Sequence, residues 1–202
     1  MTNRYSDSYI DFMKQKLQTR WIIGGVVLLL IWILPLSAFC QKASIREVSV
    51  KGTNGVWKVG FHVENCFTEK MEEAIQTGMQ TVFTFYVQLY QKRTWWRDRK
   101  VATREFHHTI RYDPIPKEYQ VTLEENGSSI VTSDFEEAKR LMANVEAVEI
   151  RPSSQLKPGV PGRFRIKAEL DPVRLPLHLE YLFFFVSLWD FETDWHIEPL
   201  VP

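Results

Sequence analysis

Two cysteines, Cys40 and Cys66, stand in 202 residues. No C-x-x-C pair exists, which excludes a cysteine-rich zinc cluster. The nine glycines build no phosphate-cradling loop. No G-x-S-x-G is present, so the strained nucleophile turn of the α/β-hydrolases is excluded. Charge of one sign is lacking too: 25 Lys and Arg balance 25 Asp and Glu. After residue 40 the counts are 21 and 23, a net of −2. Such a surface has no bulk attraction for nucleic acid or an anionic membrane. No internal repeat, low-complexity linker or cofactor motif occurs. The expectation is a non-enzymatic chain without a cofactor and without a nucleic-acid partner.

What is present begins with one long apolar run. Trp21–Cys40 (WIIGGVVLLLIWILPLSAFC) carries no charge over twenty residues, enough for one helical span. Lys14, Lys16 and Arg20 precede it and favour a cytoplasmic N-terminus. The same run also reads as a signal peptide: Pro35 breaks it, and Ala38 and Cys40 offer small residues for cleavage before Gln41. Phe39 fits poorly with a lipidated Cys40. Residues 1–20 are thus expected in the cytoplasm, 21–40 as anchor or signal sequence, and 43–202 as one extracytoplasmic domain. That places the protein in the inner membrane with a periplasmic domain, or free in the periplasm after cleavage. Outside the cytoplasm a Cys40–Cys66 disulfide is conceivable; the plainer reading is a half-buried free Cys66 at a strand end.

The remaining chain alternates. Residues 44–51 run into Asn54-Gly55, a hairpin signal. Trp57, Val59, Phe61 and Val63 then share one face. A short helix is expected after Thr68, with Met71, Ala74 and Ile75 as its stripe and Gly78 as its stop. In TVFTFYVQLY both faces are fairly apolar, which suits a central strand. A basic turn, QKRTWWRDRK, leads into a strand with Phe106, His108, Ile110 and Tyr112 on one face. Tyr119, Val121 and Leu123 alternate, Asn126-Gly127 turns, and Ser129–Val131 returns. Ser133 and Glu136 suggest a capping box ahead of a helix bearing Phe135, Ala138, Leu141 and Met142. Val148 and Ile150 begin another strand, Phe164, Ile166, Ala168 and Leu170 line the next, and Tyr181–Trp189 is almost wholly apolar. The expected fold is mainly β (α+β): an antiparallel sandwich or curled sheet of about seven to eight strands with two short helices.

The order of these features resembles a known family. A helix ending in Gly precedes FTFYVQLYQKR, the pair in WWRDRKV and a strand toward IRYD. Then follow EYQVTL, FEEAKRLM, the LKPG turn, RFRIKAELDPVRLP and LWDFETDW. Over residues 43–197 this is similar to domain-of-unknown-function family 4390 of bacterial envelope-type proteins. The resemblance implies no established activity and no catalytic residues; it suggests membrane sensors or envelope complexes as partners.

Candidate chemistry is sparse. Arg93, Trp95, Trp96, Arg97 and Arg99 interleave aromatics with guanidinium groups, a pattern suited to a protein partner or an anionic ligand. The alternative is a hairpin tip with Trp folded back on the sheet. A hydrophobic-ligand carrier would use Phe83, Phe85, Phe183 and Phe185 as lining. As a buried strand, YLFFFV needs no ligand. His107 and His108 point to opposite faces of a strand, so a zinc site from His62, His108, Asp194 and His196 has no supporting spacing. Asp190, Glu192 and Asp194 alternate as a carboxylate set or as a solvated edge. A hydrolase would require His108 to meet Asp190 or Asp194 in one cleft.

Overall fold

A computed structural model describes residues 42–171 and 191–200, apart from Thr94, Trp96, Gln155 and Pro158. Residues 1–20, the run 21–40, the apolar stretch Tyr181–Trp189 with Phe183 and Phe185, and Asp190 lie outside the described residues. Among the described residues no helix is long and apolar enough to cross a membrane.

Nine strands and two helices form from these residues: β1 Ser44–Thr53, β2 Val56–Glu64, α1 Glu69–Gln76, β3 Thr81–Gln91, β4 Arg99–Asp113, β5 Glu118–Leu123, β6 Ser128–Thr132, α2 Phe135–Ala143, β7 Asn144–Ile150, β8 Gly162–Leu170 and β9 His196–Leu200. All pairings are antiparallel. One sheet runs β1-β2-β7, the other β6-β5-β4-β3-β8-β9. The described residues therefore form the expected open sandwich of mainly β structure, with one strand that the sequence pattern did not single out. That strand is β9. Its residues alternate only weakly, and Pro199 lies within it. A strand bonded to β8 alone can hold a proline, because its outer N–H groups need no partner.

The two sheets meet through the residues that the alternation placed inward. Phe61 of the small sheet contacts Phe85 of the large one at 5.7 Å between ring centroids, and Trp57 meets Phe164 at 6.0 Å. Edge-on aromatic geometry at these separations is the favoured one. β3 lies between β4 and β8, as its two apolar faces require. The turn between β1 and β2 uses Asn54 and Gly55 at φ of 51° and 78°, the left-handed pair that a two-residue hairpin needs. At one of the register irregularities, β2 shifts against β7 between Val59 and Phe61. Gly60 sits there with the Glu146 carbonyl directly above its Cα, so the shift depends on the missing side chain.

Both helices begin as side-chain caps. Thr68 Oγ1 accepts from Met71 N, and Met71, Ala74 and Ile75 are buried, as expected. In α2 the cap is Asp134 rather than Ser133: its carboxylate accepts from Glu136 N at 2.9 Å and Glu137 N at 3.4 Å. Asp lies one residue closer to the apolar stripe, and Thr132 completes the start by accepting from Asp134 N and donating to Glu137. Cys66 is a free thiol, 2% exposed rather than half-buried. Its Sγ donates to Val63 O, and burial pushes its pKa up to about 12.

Candidate functional site

The basic turn between β3 and β4 closes one end of the sandwich. Its neighbour there is the long connection between β7 and β8, residues 151–161. The two are joined by direct hydrogen bonds. The buried Gln91 amide donates to Lys157 O at 2.9 Å and accepts from Lys157 N at 3.2 Å. Lys92 N donates to Pro161 O. Arg99 donates to Ser154 Oγ at 2.6 Å, and Ser153 donates through N and Oγ to Val101 O. Arg163 of β8 holds Asp98 at 2.8 Å.

This tethering leaves a largely basic surface, on which Arg151 also pairs with Glu149 of β7 at 3.0 Å. Lys92, Arg93, Arg97, Lys100, Arg151 and Lys157 are all exposed. Asp98 is the single acid across residues 92–100 and 151–161, and Arg163 already neutralises it. Among these cations Trp95 stands 93% exposed. The indole is therefore not folded back onto the sheet. Arg93, Trp95, Arg97 and Arg99 do come together at one tip, with Arg99 half-buried by its bond to Ser154; Trp96 lies outside the described residues.

The other candidates separate. Phe83 and Phe85 are fully buried in the packed core, where Phe83 touches Phe67 and Phe191 and Phe85 touches Phe61, Phe106 and His108. Asp194 is exposed and pairs with Lys42 at 2.8 Å, whereas Glu192 pairs with Lys167 at 2.7 Å. His108 has no exposed surface at all, so it and Asp194 share no cleft. Among the described residues no group of three or more His, Cys, Asp or Glu could hold a metal ion.

A family model described as domain of unknown function (DUF4390) matches residues 40–198. The chain belongs to the DUF4390 family. No curated protein and no solved structure matches it.

In this DUF4390 domain the adjacent histidines have matched partners that the sequence reading missed. His107 is outward, and its Nδ1 lies 2.8 Å from Glu124 Oε2. This hydrogen bond holds the Glu124 carboxyl below its usual range. His108 is inward, with Nε2 2.9 Å from Glu125 Oε2 and Nδ1 3.0 Å from Met142 O. The Glu125 side chain is only 3% exposed. A carbonyl oxygen can only accept, so Nδ1 carries a hydrogen. One further proton must then lie between Nε2 and the carboxyl oxygen. The pair is neutral as a unit, whichever partner holds that proton. The signal was the repeated spacing of seventeen residues, His107 to Glu124 and His108 to Glu125.

Proposed function

We propose that this protein is a non-enzymatic, extracytoplasmic binding module, tethered by residues 21–40 or released after cleavage there, that docks an acidic protein surface on its basic aromatic tip. The observation carrying this reading is Trp95, 93% exposed among exposed cations, with the one acid of its loops, Asp98, already paired to Arg163. An exposed indole costs apolar hydration and supplies rigid contact area when covered. The cations around it match an acidic partner and speed encounter.

The position of the tip supports the same reading. β1 starts at Ser44, paired with Glu64, at the end of its sheet remote from the Asn54–Gly55 turn. The tip loops gather beyond the other end, where Trp57 pairs with Ile150 and the 151–161 connection begins. The tip therefore lies at the end of the sandwich remote from the start of β1.

The test places a photo-crosslinking side chain at position 95 in cells. The expected result is a discrete protein adduct that disappears when Arg93 and Arg97 are both changed to Glu, and that weakens with added salt. Trp95→Ala should leave thermal stability within about 0.5 kcal/mol, as for other surface changes. An adduct insensitive to charge reversal, or none at all, overturns the reading.

A further inference from the structure

Behind α2 lies a cavity of about 420 Å³, within the usual size range of small-molecule sites. Glu125, in the turn between β5 and β6, forms part of its wall together with Glu137 and Arg140 of α2 and Glu146 of β7; Leu123, Ile130 and Leu141 supply apolar lining. The carboxyl of Glu125 is fixed from behind. Oε2 is held by His108, which is itself held by Met142 O. Among the described residues Oε1 has no hydrogen-bond partner. Arg140, exposed in the last turn of its helix, forms no ion pair among the described residues.

A buried carboxyl backed by a histidine is a costly element for a core, because each charge or polar atom needs a partner. Here one oxygen is satisfied internally, and the other has no partner among the described residues while Glu125 lines the cavity. An ammonium group fits that oxygen. The guanidinium of Arg140 fits a carboxylate, by two parallel hydrogen bonds. Three aliphatic side chains complete the lining, and Glu137, engaged by Thr132, and the exposed Glu146 make the cavity acidic around Arg140, which favours the ammonium end. We infer that this cavity binds a free α-amino acid with an apolar side chain: ammonium on Glu125, carboxylate on Arg140, and the side chain against Leu123, Ile130 and Leu141. The site is remote from the tip and does not depend on the docking role proposed for it.

Isothermal titration of the full-length chain in detergent micelles tests this, with L-leucine, isopentylamine and isocaproate as probes. Leucine should bind saturably, and both fragments more weakly by about 10-fold to 100-fold, the loss expected for one charged hydrogen bond. Glu125→Gln keeps the shape of the wall, and its amide can still donate to His108 Nε2, but it can no longer present a carboxylate to the ammonium; Arg140→Ala is a surface change that leaves the core intact. Each should weaken leucine binding by a similar factor, while Trp95→Ala leaves it unchanged. No saturable heat with leucine up to about 10 mM, a concentration that would detect even weak sites, overturns the assignment. So does isopentylamine binding as tightly as leucine, or either variant binding leucine like the parent.

Discussion

Removing either partner of the buried His108–Glu125 pair should destabilise the domain, and the two removals should differ. His108→Ala deletes a fully buried ring that touches Phe85 at 4.7 Å and Phe106 at 6.0 Å. It also strips a 3% exposed carboxyl of its partner. Breaking a buried pair from this side costs about 3–5 kcal/mol. Glu125→Ala leaves only a neutral imidazole nitrogen unpaired, beside a cavity that admits water. A loss of about 1–3 kcal/mol is expected there. Glu125→Gln should cost the least, about 1 kcal/mol or below, since its NH2 donates to Nε2 while Nδ1 still donates to Met142 O. Urea unfolding of the three variants gives the ranking directly, at constant slope if the denatured states match. If His108→Ala is no worse than Glu125→Gln, the shared-proton argument fails.

Other consequences follow from single contacts. Gly60→Ala would drive a Cβ into the Glu146 carbonyl and to 2.9 Å from Ser49 Oγ; a loss on the order of 3 kcal/mol is expected, the upper end for overpacking, and a thermal melt equal to the parent's would refute the close approach. Cys66, with its thiol pushed up to about 12 by burial, should resist iodoacetamide at mildly alkaline pH in the folded protein and react once unfolded; equal rates would show an accessible thiol. Acid should destabilise the domain through Glu124 and Glu169. Glu124 is lowered by its hydrogen bond from His107; at Glu169 burial opposes ionisation, but the hydrogen bonds from Lys167 and Tyr86 outweigh it. Their contribution is present above the ordinary carboxylate pKa and is lost as pH falls through the depressed folded values. The urea midpoint should therefore drop at acid pH and stay flat from there to neutrality in so far as these groups govern it, and Glu169→Gln should reduce the drop.

The sandwich was legible because its strands alternate and its turns carry explicit chemistry. Phe83, Phe85, Val87 and Leu89 lie inward as their period of two requires, and Asn54-Gly55 forms the hairpin it signals. α1 followed from Thr68 and its stripe. What escaped the pattern depends on contacts between distant segments. β9 is an edge strand whose hydrogen bonds, not its hydropathy, define it. Asp134 displaced Ser133 as cap because both residue types suit the role and only the backbone decides. At the tip, sequence supplied the residues but not the outcome for Trp95, which rests on how residues 151–161 dock beside it. The cavity was invisible for the same reason: Glu125 and Arg140 are unremarkable in their own segments and acquire a role only across the turn, the helix and His108.

The His–Glu pairs also bear on how the large sheet finds its register. β4 is fifteen residues long and bonds β5 through His108↔Leu123, Ile110↔Val121 and Tyr112↔Tyr119. A slip of one residue would turn His107, Thr109 and Arg111 into the core, which the hydrophobic term forbids. A slip of two is different: Phe106 or Ile110 would replace His108 opposite Leu123, apolar for apolar, at little cost in burial. It would, however, set a phenyl or an alkyl group beneath Glu125 and leave the carboxyl and Met142 O without their shared partner. Each orphaned group then carries a desolvation penalty of about 1–3 kcal/mol. The outer face repeats the constraint, because His107 meets Glu124 through both its ring and its backbone N–H. Two adjacent histidines facing two adjacent glutamates thus specify one alignment from both sides of the sheet, where the apolar pattern alone leaves two-residue slips open.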